Sequence, residues 1–190
     1  MSSEKNETSV WSMIKLGLIL GAFAVAACTC LAVVNNITSP VIQKNKMEKA
    51  NVAMKKVMPE AESFEEKDQV YVAKTADKVI GAVAEVTGST YNEATILVGV
   101  SAEGFITGVE FLANSDSPGF GLKASDPSFI LPSGKTFYGQ FAGISSSSNF
   151  ECSTDFDAIS GATITSKGVG NLVRTGAEKC MAALKEIKGE

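Results

Sequence analysis

From Leu16 to Gln43 the chain carries no charged residue, and Leu16 to Val34, LGLILGAFAVAACTCLAVV, is an unbroken run of apolar and small side chains. About 20 such residues in a helix cross the hydrocarbon core of a bilayer. The pattern predicts one spanning helix over residues 13–36 after a tail of residues 1–12, with Trp11 as an interfacial anchor. Pro40 is expected to stop or kink any helix that continues outward. A cleaved signal peptide is a second reading of this run, although the run exceeds an ordinary signal core. A third takes Val25 to Cys28, VAAC, as a lipoprotein cleavage box with Cys28 lipidated; against it, the chain stays apolar through Val34.

Beyond Pro40 the periodicity changes. Met47, Ala50, Met54 and Val57 recur at helical spacing until Pro59, which predicts a short amphipathic helix. Strand-like apolar segments follow at residues 69–73, 79–86, 95–101 and 105–113. The last two flank Ala102, Glu103 and Gly104, a hairpin signal. Residues 114–149, rich in Gly, Pro and Ser, read as loops over a sheet. Val169, Leu172, Val173, Gly176, Ala177, Cys180, Met181, Leu184 and Ile187 then mark the buried face of a final helix. The expected fold class is α+β: one transmembrane helix, then residues 44–190 as an antiparallel sheet with packed helices.

Composition narrows the chemistry. The 190 residues suffice for one domain and an appendage, and a net charge of −4 without a basic block makes nucleic acid an unsuitable partner. The chain has no histidine, which excludes Ser-His-Asp catalysis and histidine-bound metal. Its cysteines, Cys28, Cys30, Cys152 and Cys180, form no C-x-x-C, so no zinc or iron–sulfur pattern is present. Cys180 reads as a core residue, with a Cys152–Cys180 disulfide as the alternative. Lys5 and Lys15 precede the span while Lys44, Lys46 and Lys49 follow it, a count that leans toward a cytoplasmic domain.

The candidate chemistry lies in FDAISGATITSKGVG, residues 156–170, where a loop carrying Ser160, Thr163, Thr165 and Ser166 runs into the final helix. A helix start offers unpaired N–H groups and favours an anion by about 0.3–1 kcal/mol. Gly161 and Ala162 leave room for a phosphate to approach. The plain alternative is an ordinary cap, with Thr165 or Ser166 as N-cap. A second stretch, NSDSPGFG at residues 114–121, alone reads as a turn. SGKT, residues 133–136, looks like a P-loop tail, but Phe129 stands where the leading glycine belongs.

DAISGAT, Asp157 to Thr163, resembles the D-x-x-(S/T)-G-A-T flavinylation motif, in which a flavin transferase joins FMN through its phosphate to the last threonine. The resemblance makes Thr163 the acceptor and Asp157, Ser160, Gly161 and Ala162 the recognition residues, with Thr165 and Ser166 as cap or phosphate contacts. NSDSPGFG resembles the SETPGLG loop of the same flavoproteins, with Asp116, Ser117 and Phe120 where Glu, Thr and Leu are usual. That places Asp116, Ser117, Pro118, Gly119, Phe120 and Gly121 beside the flavin. Together the motifs and the single span resemble the FMN-binding domain family of Rnf-complex G subunits, shared with the C subunit of the sodium-pumping NADH:quinone oxidoreductase.

The resemblance implies a membrane subunit with covalent FMN on Thr163, its flavin domain outside the cytoplasmic membrane. It implies other Rnf subunits, a flavin transferase and membrane lipid as partners. The subunit would be a redox component of an oxidoreductase without catalytic or metal-binding side chains of its own. The C subunit of the sodium pump and a non-redox, membrane-anchored binding module are the alternatives.

Overall fold

The structure, a computed structural model, describes residues 4–67, 70–76 and 78–188. The first three residues of the predicted tail, Gln69 of the first predicted strand and the last two residues of the predicted domain lie outside these. The chain divides into two units, Met1–Glu48 and Lys49–Glu190.

The first helix, α1, spans Glu4–Val57. Among the described residues it is the one helix long and apolar enough to cross a membrane. Its apolar side chains from Trp11 to Ile42 are all exposed, an arrangement suited to a surrounding as apolar as themselves. Thr29, the one hydroxyl in the apolar run, donates to Val25 O at 2.8 Å, so it needs no partner from the surroundings. Pro40 neither stops nor divides the helix, and the predicted short helix is the end of α1. A proline removes one hydrogen bond at a cost of about 3 kcal/mol. Beyond it, within the second unit, Ala53, Met54 and Val57 are buried.

Five strands follow, β1 (Ser63–Lys67), β2 (Val70–Thr75), β3 (Lys78–Ser89), β4 (Glu93–Ser101) and β5 (Ile106–Asn114), paired antiparallel in chain order. The predicted hairpin joins β4 to β5, with Gly104 at φ +86° and its N–H on Ser101 O at 3.0 Å. β1, SFEEK, carries no alternation to announce it; it is an exposed edge strand paired only with β2. The final helix, α2, runs Thr163–Lys188.

Both faces of the sheet are covered, and the apolar runs of β3 and β4 record this. Ala82, Ala84 and Val86 of β3, with Ile96, Val98 and Val100 of β4, meet Val169, Val173, Ala177 and Leu184 of α2. On the opposite face Val83 and Leu97 meet Ala53, Met54, Val57 and Met58. Cys180 is fully buried, its thiol against Val98 O, and burial pushes that thiol up to about 12. Cys152 and Cys180 are free thiols, so the alternative disulfide is not formed. Of the predicted α2 face, Ile187 is 40% exposed.

The segment between β5 and α2 contains more order than its composition announces. It holds short 3₁₀ turns at Gly121–Ser125 and Tyr138–Phe141, and four phenylalanines from it fill the core under α2. Phe141 lies 4.9 Å from Phe156, 5.8 Å from Phe137 and 6.5 Å from Phe150, ring centre to ring centre. These are the offset and edge geometries aromatic rings favour.

One polar atom is out of place. Between β4 and β5 the register shifts after Gly99, leaving Thr107 as the extra residue of a bulge. Its hydroxyl is buried without a hydrogen-bond partner. An unsatisfied buried polar group costs about 1–3 kcal/mol. Thr107→Val keeps the branched shape and removes that group, so it should raise the urea midpoint without changing the m value. A lowered midpoint would mean the hydroxyl is satisfied in solution.

Candidate functional site

Helix α2 starts three residues earlier than a cap at Thr165 would allow, and this settles where the hydroxyls go. Thr165 and Ser166 lie inside the first turn, 2% and 0% exposed, rather than capping it. Ser166 accepts from the Ile159 N–H and donates to Ala162 O, both at 3.0 Å. It thereby clasps the loop that enters the helix. Thr165 donates to Asp116 Oδ2 at 2.7 Å. The expected N-cap role fails because both side chains have better partners within the protein. Thr163, at the first helical position, is exposed. Gly161 precedes it at φ +77°, a conformation that favours glycine.

Asp116 is the centre of the arrangement. It is 4% exposed, and its Oδ1 accepts from Thr90 Oγ1 and from the Asn92 N–H, both at 2.7 Å. Burial pushes this carboxyl up, but donors from Thr165, Asn92, Thr90 and Tyr91 together hold it below the ordinary aspartate value. Among the described residues no Lys or Arg forms a salt bridge with it. Three chain segments therefore meet at one carboxylate: the β3–β4 turn, the loop after β5 and the first turn of α2. Gly121 crosses directly over the pair; a Cβ there would lie 2.6 Å from Asp116 Oδ2 and collide with Thr165 Oγ1.

Above these bonds lies a cleft of about 590 Å³. One wall comes from Ser117, Pro118, Phe120 and Gly121, the other from Gly161, Ala162, Thr163 and Thr165. Pro118 and Gly119 (φ +79°) form the centre of a turn closed by the Phe120 N–H on Ser117 O at 3.3 Å. Gly119 itself sits on the exposed turn and does not line the cleft. Asp116 and Ser166 are buried, and Ser160 is exposed on the entering loop. Asp157 stands apart, on a smaller cleft with Lys135 and Gln140. Gln140 fixes its backbone, accepting from the Asp157 N–H at 2.8 Å and donating to Asp157 O at 3.1 Å.

Two lining residues were not singled out from the sequence, Tyr91 and Ile164. Ile164 could have been suspected as a large apolar residue off the buried face of α2. Tyr91 gives no such signal, because its place depends on the β3–β4 turn reaching the helix. With Phe120 they leave three large apolar side chains 58–62% exposed around Thr163.

The site suits a ligand with an anionic end and a flat apolar body. The Ser166 N–H is the first to bond back along the helix, to Ala162 O at 2.9 Å. The N–H groups of Thr163, Ile164 and Thr165 precede it, where a helix has no acceptors of its own. The first turn carries no acid to repel an anion, and Asp116 spends its charge on protein donors. Among the described residues no charged side chain lines the cleft.

Comparison with known proteins gives the same outline. Residues 91–178 match the FMN-binding domain family, and residues 1–57 match the RnfG N-terminal region. The chain is 32% identical to the G subunit of the Na(+)-translocating ferredoxin:NAD(+) oxidoreductase complex of Acetobacterium woodii, over 84% of this chain and 87% of the relative. It is 27% identical to the G subunit of the proton-translocating ferredoxin:NAD(+) oxidoreductase complex of Clostridium ljungdahlii, over 94% and 96%. With the G subunit of the ion-translocating oxidoreductase complex of Escherichia coli the identity is 27%, over 84% and 87%.

The Asp116 network makes a prediction of its own. Asp116→Ala strands buried donors from Thr90, Asn92 and Thr165, at an expected cost of roughly 2–4 kcal/mol. Because the folded carboxyl titrates below the ordinary aspartate value, its contribution is complete well above that ordinary value and is lost as pH falls through the lower folded one. Melting curves from neutral pH to about pH 3 should therefore show a smaller acid loss in Asp116→Ala than in the parent. Equal melting temperatures at neutral pH would show that the network contributes nothing.

Proposed function

The chain belongs to the family of ion-translocating oxidoreductase G subunits with an FMN-binding domain, and from that membership we propose that it is a membrane-anchored electron-transfer subunit holding FMN as a phosphoester on Thr163. The complex it would serve is an ion-translocating ferredoxin:NAD oxidoreductase of the Rnf type. The observation that carries the reading is Thr163 itself: an exposed hydroxyl at the first position of α2, beside an uncharged cleft with an apolar rim. Bound FMN would supply electron transfer in steps of one or two.

The chain's own residues would bind and orient. Esterification of Thr163 leaves a phosphodiester with about one negative charge, which the first-turn N–H groups can accept. Small residues at 160–162 let that group reach the backbone. Ser117, Pro118 and Phe120 form the wall against which the ring would rest.

Among the described residues no side chain lining the cleft is a ready acceptor for the Thr163 proton: no acid, lysine or histidine stands there. Ester formation then calls for an outside catalyst, a flavin transferase. Asp157, away from the cleft, is suited to recognition by that enzyme and not to holding the flavin. The match of residues 1–57 to the RnfG N-terminal region favours the Rnf assignment over the C subunit of the sodium pump. Further Rnf subunits and lipid are the partners this reading requires, with α1 as the single span.

Sidedness is part of the proposal. We propose that the flavin domain lies outside the cytoplasmic membrane, a reading supported by family resemblance, although the lysines flanking the span lean the other way. Protease added to intact, wall-stripped cells should trim the chain to a membrane stub; a fully protected domain would reverse the orientation.

The attachment has a sharper test. Thr163→Ala should lose all covalent flavin fluorescence on a denaturing gel while still inserting into the membrane. Thr165→Ala should keep the flavin and lose about 0.5–2 kcal/mol of stability with its hydrogen bond to Asp116. Peptide mass spectrometry should find Thr163 heavier by FMN less one water. An adduct on Thr165 or Ser166, or fluorescence surviving in Thr163→Ala, would overturn the assignment.

A further inference from the structure

Tyr91 belongs to neither motif loop, yet it lines the cleft with Phe120 and Thr163. It sits on the turn between β3 and β4 and is 61% exposed. Its neighbours are anchored. Thr90 and the Asn92 N–H both bind Asp116 Oδ1 at 2.7 Å, and Asp116 Oδ2 holds Thr165 of α2. The turn also rests on the helix: a Cβ at Gly168 would lie 2.7 Å from Thr90 Cα and 2.9 Å from Ser89 O. With both flanking residues tied down, the Tyr91 ring is the part of the turn left to face the cleft.

On the loop side, Phe120 lies against Gly161, with Cδ1 3.4 Å from where a Cβ would be. The two rings thus come from separate loops, each pinned close to the first turns of α2. A flat heteroaromatic body in such a cleft finds offset stacking or edge contact with aromatic side chains favourable.

Taking the cleft as a flavin site, we propose that Tyr91 is an aromatic wall of that site, packing on the isoalloxazine of FMN esterified to Thr163 and held in place by Asp116 through Thr90 and Asn92. Phe120 supplies the second ring. Tyr91 is a binding and orienting contact and takes no part in forming the ester.

A phenol beside a flavin leaves an optical signature. The photoexcited ring takes one electron from the phenol and returns it, so emission is shortened with no net chemistry. A phenyl ring is too poor a donor to do this. Of the three tyrosines, only Tyr91 lines the cleft: Tyr71 packs against the core on the other face of the sheet, and Tyr138 packs on Phe111.

The test uses the full chain, flavinylated in membranes and purified in detergent, as wild type, Tyr91→Phe and Tyr91→Leu. Covalent flavin content should be equal in the three. Mean emission lifetime should lengthen in both variants. The visible circular dichroism of the flavin should persist in Tyr91→Phe and weaken in Tyr91→Leu, since only the former keeps an aromatic face. Lifetimes unchanged in both variants would overturn the contact while leaving the flavin on Thr163. A wild-type chain bearing no FMN would overturn the flavin reading and this proposal with it, and gel fluorescence shows that before any lifetime is measured.

Discussion

A carboxylate taken out of water must be solvated by the protein, and Asp116 is solvated by three pieces of chain that are distant in sequence. Its bonds to Thr90, Asn92 and Thr165 are all 2.7 Å long. Donors to a buried charge are worth more than donors between neutral groups. The β3–β4 turn, the loop after β5 and the start of α2 therefore come together or leave the charge exposed to its own desolvation. Gly121 follows from the same constraint, because the loop must pass over the acid at a distance no side chain permits. So does the inward turn of Thr165, which leaves Thr163 as the outward hydroxyl of the first turn.

That carboxylate could not assemble the site on a loose foundation. The segment between β5 and α2 has little regular structure, but Phe137, Phe141, Phe150 and Phe156 bury themselves in one another and under α2. Burying each such ring contributes about 1.5–3 kcal/mol. Gln140, within this segment, fixes the backbone of Asp157. Aromatic packing thus substitutes for hydrogen-bonded elements in delivering residues 157–163 to the helix.

Much of this was legible in the sequence where a period or a motif carried it. The face of α2 from Val169 to Leu184 and the β4–β5 hairpin follow from spacing and residue type, whereas the meeting of the two loops at one cleft is what the family resemblance implied. β1 was invisible because SFEEK is an edge strand with no buried alternation to display. No separate short helix begins beyond Pro40, because local propensity knows nothing of burial further along, where Val57 and Met58 pack under the sheet. The N-cap reading of Thr165 and Ser166 fails because a cap is a local device, whereas their partners, Asp116 and Ile159, are fixed by tertiary structure. Tyr91 and Asp157 make the same point from opposite sides. One was absent from every motif and lines the cleft; the other opens the motif and lies outside it.

Thr163 is exposed, but the chain around it is locked: Ala162 donates to Ile159 O at 2.9 Å, Ser166 clasps the same loop, and Thr165 is bound to Asp116. On the proposed attachment, an enzyme reaching Thr163 in the folded chain would meet a finished surface and not a length of pliable peptide, since drawing the motif into an extended groove would break those bonds.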